Sequence, residues 1–283
     1  MIYSITNNEL SVQIDSRGAE VVSVKHNGIE RSWQNENGSW SGHAPILFPV
    51  CGHCDVVVGG EKYDMPFHGF ALTSTFECVS SKDDSVCFAF SANDYTRRIY
   101  PFDFALYITY ALSNSRLIVS YRIENRGDET LYFSLGGHDS FSLDGALSQY
   151  KLVFARSEKF DALLHDDSGR LTGEIMRLGD GRELVLPEEF LRDGRTLILP
   201  DMRSDKVSLC RLDGKKCAGL TFGGFGNILL WRPNGASMIC IEPWMNLPDG
   251  VSDGLTEFAD KRGVKRVAPR TAVELSRTVE YFA

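Results

Sequence analysis

The chain has 283 residues, is 43% hydrophobic and carries a formal net charge of −8 with a pI near 5.3. That length buries a full core, while the acidic balance argues against duplex nucleic acid and anionic membrane as partners. No run approaches the roughly 18 apolar residues of a membrane span. The first ten residues, MIYSITNNEL, lack a basic stretch leading into an apolar one, so a cytoplasmic location is expected.

Taken in chain order, the dominant period is two. Leu10, Val12 and Ile14 alternate with polar residues, and Val86, Phe88 and Phe90 repeat the pattern. Phe102, Phe104, Leu106, Ile108, Tyr110 and Leu112 alternate without a break; Leu117, Val119, Tyr121 and Ile123 answer them across Ser113-Asn114-Ser115. This reads as a β-hairpin. Pro187 to Arg192 predicts a short helix, with Pro at its start and Gly194 after it. Ser252 to Arg262 predicts a second, capped by Ser252 or Asp253 and ended by Gly263. Val273, Leu275, Val279 and Tyr281 return to the strand period. No linker or internal repeat interrupts these signals. The expectation is an all-β chain, one domain over residues 1–283, built as a large antiparallel β-sandwich with a few short helices.

Seven scattered cysteines suit reduced thiols. Cys51-Gly52-His53-Cys54 has the spacing of a redox pair, yet Asp55 to Gly60 after it reads as strand and turn. A reactive CxxC needs a helix N-terminus, and no second ligand pair closes a zinc site. Two incidental thiols are expected. Gly223-Gly224-Phe225-Gly226 lacks the lysine and following helix of a phosphate loop and reads as a turn or bulge.

Two ionisable residues stand in apolar strands. His138 follows Leu131 to Leu135 and a Gly-Gly pair; Glu242 follows Ile239, Cys240 and Ile241 and precedes Pro243-Trp244. Such groups are rarely buried unless paired or used. A buried carboxylate has a raised pKa and makes a useful base; a glutamate paired with a core arginine would explain the same pattern. His68, between Phe67 and Gly69-Phe70, is a third candidate.

Five segments in register resemble the aldose 1-epimerase family, the galactose-mutarotase-like proteins, and within it a bacterial subgroup. They are APILFPVCG from Ala44, His68-Gly69-Phe70-Ala71, Tyr100-Pro101-Phe102, Phe133 to His138, and Leu230-Trp231 followed by Ile241 to Trp244. The resemblance implies the galactose-mutarotase-like supersandwich and the interconversion of α and β anomers of an aldose, an isomerase reaction that needs no cofactor and no metal. It implies Glu242 as general base, His138 as general acid, and His68 as a sugar-binding partner. His53 stands where the family usually carries an arginine; the aspartate usual before the strand at Leu197 to Leu199 is replaced by Arg195, with Asp193 nearby, and both His53 and Asp193 are taken as sugar-binding candidates beside Trp231, which offers an aromatic face. The pair is expected to work with Glu242 ionised and His138 protonated. His53, Phe67 and Leu72 replace arginines usual in the family, which favours neutral sugars over sugar phosphates. The other class of function open to this sequence is a non-catalytic carbohydrate-binding protein on the same fold. In either case the partner is a small carbohydrate; the oligomeric state is left open.

Overall fold

A computed structural model describes residues 1–283. The longest alternating runs form the expected hairpin, Phe104–Ser113 against Arg116–Asn125, in register from Phe104 opposite Asn125 to Ser113 opposite Arg116. Its two-residue turn places Asn114 at φ 52°, a conformation that asparagine tolerates. Ser85–Ser91 pairs with one side of the hairpin and Ala272–Tyr281 with the other. From there one 15-stranded antiparallel sheet runs through the middle of the chain to Met238–Trp244, Gly136–Gly137 and Ile46–Leu47. A four-stranded sheet from Ile2–Thr6 to Ile29–Glu30 shares no strand ladder with it. Tyr3 packs edge-on against Phe88 across the gap, and the Tyr110 hydroxyl donates to the Ala19 carbonyl at 2.5 Å. A continuous core of 60 buried residues runs from Ile5 to Tyr281. The β-sandwich expectation holds. No helix is long and apolar enough to cross a membrane.

The helices differ in part from expectation. Glu188–Leu191 forms behind Pro187, as predicted. The stretch 252–262 does not form an α-helix; only Phe258–Asp260 makes a 3₁₀ turn. Its acidic side chains serve other backbone groups instead. Asp253 accepts the Gly250 N–H at 2.7 Å, and Glu257 accepts those of Gly59 and Gly60 at 3.0 and 2.6 Å. Leu255, within that stretch, is 67% exposed. Side-chain bonds of this kind compete with helix formation, and Gly254 weakens the helix further. Conversely, an unexpected helix forms at Asp94–Ile99 on a capping box between Asn93 and Thr96.

Register around Met238–Trp244 sets the rest of the architecture. Every residue of that strand is buried. Asn227–Trp231 pairs along one side, placing Leu229 opposite Glu242. Along the other, Gly136 pairs with Trp244 and Asp139 with Ile241. His138 lies in the short break between those two pairings, beside Glu242. Side chains would not fit in the approach to it. A Cβ on Gly136 would sit 2.7 Å from Cys51 Sγ, and one on Gly137 2.7 Å from Arg277 Nε.

Arg277 is 1% exposed. Its guanidinium binds the Asp139 carboxylate and donates to the Tyr121 hydroxyl at 2.8 Å. Removing one member of a buried ion pair strands the other. Arg277→Met is therefore expected to lower unfolding stability by about 3–5 kcal/mol, and adding Asp139→Asn should recover part of it. Urea denaturation measures both. An Arg277→Met midpoint equal to wild type would mean that Asp139 does not depend on the arginine.

Candidate active site

Alternation along Met238–Trp244 turns Cys240, Glu242 and Trp244 to one face. There Glu242 Oε2 lies 3.3 Å from His138 Nε2 and accepts the Trp244 indole N–H at 3.1 Å. The carboxyl has no arginine or lysine within 4 Å; His138 is its sole potential counter-charge. The alternative of a glutamate paired with a core arginine therefore fails, because the fully buried arginine, Arg277, pairs with Asp139 instead.

Burial governs the proton of this pair. It raises the Glu242 pKa well above the usual carboxylate value, against a smaller opposing pull from the Trp244 hydrogen bond. It lowers His138 to about 4. Both shifts favour the uncharged forms, a carboxylic acid beside a neutral imidazole. The working pair expected from sequence, an ionised glutamate and a protonated histidine, is the same pair with its proton moved; in low dielectric, two neutral groups cost less than two charges. The total is the same, one proton on two groups.

The pair lines a cavity of about 360 Å³. His68 enters it from a backbone at φ 65°. Its Nδ1 accepts the Gly52 N–H at 3.0 Å, which leaves the proton on Nε2, and burial holds the ring neutral. His68 is therefore a fixed neutral donor. Aromatic rings make up much of the wall. Trp40 lies against His138 with centroids 5.1 Å apart, Trp231 meets it edge-on at 5.5 Å, and Trp244 meets His68 at 5.2 Å. The Trp231 indole is anchored by a 2.8 Å bond to the Gly194 carbonyl.

Of the six residues singled out in the sequence, Glu242, His138, His68 and Trp231 line this one cavity. His53 lines an adjoining cavity of about 460 Å³ that shares Phe67, Thr196 and Trp244 with the first. Its Nε2 is 2.7 Å from Arg170, whose guanidinium also holds Asp55. Asp193 is exposed on the segment before Leu197–Leu199 and lines neither cavity; Thr196 from that segment lines both. The segment is carried out to solvent before it turns inward, so the acid stands three residues short of the wall. Sequence reasoning missed Trp40 and Thr196, which sit in loops with no period to mark them. It also passed over Cys240, which the same alternation places beside Glu242. No lysine or arginine lines the cavity that holds Glu242 and His138, and Phe67 and Leu72 are part of its wall.

Comparison with known proteins bears on the family and the fold. A family model described as Aldose 1-epimerase matches residues 1–195, a stretch that includes His68 and His138 and ends before Glu242. The protein LacX (chromosomal) of Lactococcus lactis subsp. lactis is 27% identical over 291 residues, covering 95% of each chain. Among solved structures, a galactose mutarotase related enzyme from Lactobacillus acidophilus superposes with a TM-score of 0.90 at 27% identity, covering 100% of this chain and 98% of that one. A galactose mutarotase-like protein from Lactobacillus casei gives 0.91 at 26%, with full coverage of both.

Beneath the cavity, Cys51 and Cys54 are buried free thiols. Burial raises the Cys51 pKa strongly and pushes Cys54 up to about 12. Thiolates, not thiols, react. Under native conditions Cys51 and Cys54 should therefore lag well behind the half-buried Cys78 and Cys217 in reaction with a disulfide reagent, followed by peptide mapping. Fast labelling of Cys51 or Cys54 in the folded protein would restore the redox reading of the motif.

Proposed function

The chain belongs to the aldose 1-epimerase family, and on that premise we propose that it interconverts the α and β anomers of a free aldose. The observation that carries this is the 3.3 Å contact between His138 Nε2 and Glu242 Oε2 on the wall of an aromatic cavity. An acid and a base this close can address two oxygens on one carbon. Cleavage of a glycosidic bond by two carboxyl groups wants them about 5–5.5 Å apart or more.

The ring of a bound sugar places its anomeric hydroxyl at Glu242 and its ring oxygen at His138. With sugar bound, the shared proton passes from Glu242 to His138 across their 3.3 Å contact; the Glu242 carboxylate then takes the hydroxyl proton as His138 gives the shared proton to the ring oxygen. The bond from C1 to the ring oxygen breaks and an aldehyde forms. That step ends with a neutral carboxylic acid and a neutral imidazole, the arrangement that burial favours in the empty site. Rotation about C1–C2 presents the other face of the aldehyde, and the same transfers in reverse close the ring. His68 donates from Nε2 to a sugar hydroxyl, while Trp40, Trp231 and Trp244 cover apolar C–H faces and exclude water. The whole chain serves this role as one domain, in the cytoplasm, without a cofactor.

The cavity wall carries no ionisable group apart from the pair and the neutral His68, so neutral sugars are the expected substrates. Arg232, one possible source of positive charge, is buried and faces Glu188 at 3.7 Å. The value of kcat/KM for glucose or galactose should exceed that for glucose 6-phosphate at matched ionic strength. Preference for the phosphate would show that an arginine reaches the site.

Glu242→Gln keeps the size of the side chain and removes the base. It should lower kcat by ~10²–10⁴-fold while sugar affinity persists. Activity in the wild type should follow a bell. Its acid limb falls near 4, where the pair takes up a second proton and loses its base. Its alkaline limb falls through the raised Glu242 value, where the pair loses its only proton and with it the acid. Polarimetry corrected for spontaneous mutarotation measures both. Wild-type turnover by Glu242→Gln would refute the assignment. Sugar binding by the wild type without any acceleration would make this a carbohydrate-binding protein.

A further inference from the structure

Cys240 takes no part in the mechanism above, yet its thiol is fully buried beside the acid and base. One donor atom each from His138, Cys240 and Glu242 can be chosen such that all lie within 4.8 Å of one another. We propose that these three side chains form a capture site for a thiophilic divalent cation, with Zn²⁺ the best fit, and that the occupied site is inhibited.

The donor set is the first ground. Imidazole nitrogen, thiolate sulfur and carboxylate oxygen are the three ligand types zinc prefers, and three protein ligands leave a fourth position for water or a substrate oxygen. Geometry is the second. Tetrahedral zinc with bonds of ~2.0–2.1 Å to nitrogen and oxygen spans an N···O edge of about 3.3 Å. His138 Nε2 and Glu242 Oε2 already stand 3.3 Å apart. With a Zn–S bond of ~2.3 Å the edges to sulfur would be about 3.6 Å, within the 4.8 Å that bounds the three donor atoms.

Charge is the third ground. A thiolate, a carboxylate and a divalent cation sum to zero, so the loaded site places no net charge in the interior. Loading releases two protons, one from the thiol and the one the acid–base pair shares. A cation reaches Glu242 and His138 through the cavity they line. The second ring nitrogen of His138, Nδ1, is buried with no hydrogen-bond partner. Cys51 and Cys54 are the other buried thiol pair and serve as the internal control. Glu242 cannot be both base and ligand, so a bound cation excludes turnover.

The test is a titration of the purified chain with Co²⁺, followed by displacement with Zn²⁺. One equivalent should give a thiolate-to-cobalt charge-transfer band and tetrahedral visible bands. Cys240→Ser should abolish the charge-transfer band and weaken Zn²⁺ binding by more than about 10-fold, as should Cys240→Ala, which keeps the position apolar. Cys51→Ser with Cys54→Ser should change neither. A charge-transfer band that survives in Cys240→Ser, or that vanishes only in the Cys51 and Cys54 double variant, overturns the proposal. A second arm rests on the mutarotase reading: Zn²⁺ should inhibit the wild type competitively with sugar, and Cys240→Ser should keep its activity at the same Zn²⁺ concentration. A wild type that binds Co²⁺ through Cys240 but never turns over sugar would leave the capture site standing and sink only the mutarotase reading.

Discussion

A carboxyl group buried to 1% exposure with no arginine or lysine within 4 Å is costly to ionise, and the chemistry proposed here follows from that constraint. Glu242 has one group with which to share a proton, His138, and the two are held at 3.3 Å by strand register rather than by loops. Since burial pushes their pKa values in opposite directions, the pair keeps one proton over a wide range of pH and can pass it either way. A solvated pair at the same distance would lose this property, because water would stabilise both charges and screen them from each other.

Much of the surrounding structure serves to keep that pair as it is. Arg277, next to Gly137, has its guanidinium occupied by Asp139 and Tyr121. The Gly136-Gly137 step lets the His138 segment close on both Cys51 and Arg277 without a side chain in the way. His68, fixed as a neutral donor by the Gly52 amide, adds a hydrogen bond to the cavity without adding a charge that would disturb the pair. The one neighbour that could disturb it is Cys240, whose thiol turns the same geometry into a set of metal ligands.

The large sandwich was legible because its central strands bury one face and expose the other, so Phe104–Ser113 and Arg116–Asn125 carry an unbroken period of two. The long hairpin of Tyr150–His165 and Leu171–Val185 left no such trace. Its second strand is mostly exposed and its pairing shifts at three bulges, so no face is selected for apolar residues. The expected helix at 252–262 failed because propensity and periodicity do not register long-range bonds such as those from Glu257 to Gly59 and Gly60. In the candidate site, His138 and Glu242 stood out as polar residues in apolar strands. Trp40 and Thr196 did not, since a loop residue joins a cavity wall through tertiary placement alone. Asp193 shows the converse: a residue close in sequence to a wall can still point to solvent.

The central claim is that the empty site holds one proton on Glu242 beside a neutral His138. Nitrogen-15 NMR of the labelled histidine imidazoles, followed through a pH titration of the sugar-free protein, measures this directly, with His138→Asn to assign the resonance. The His138 ring should be neutral at neutral pH and gain its proton only near 4. An imidazolium signal from His138 at neutral pH would show that the pair rests as separated charges, and the account of how burial sets its chemistry would be wrong.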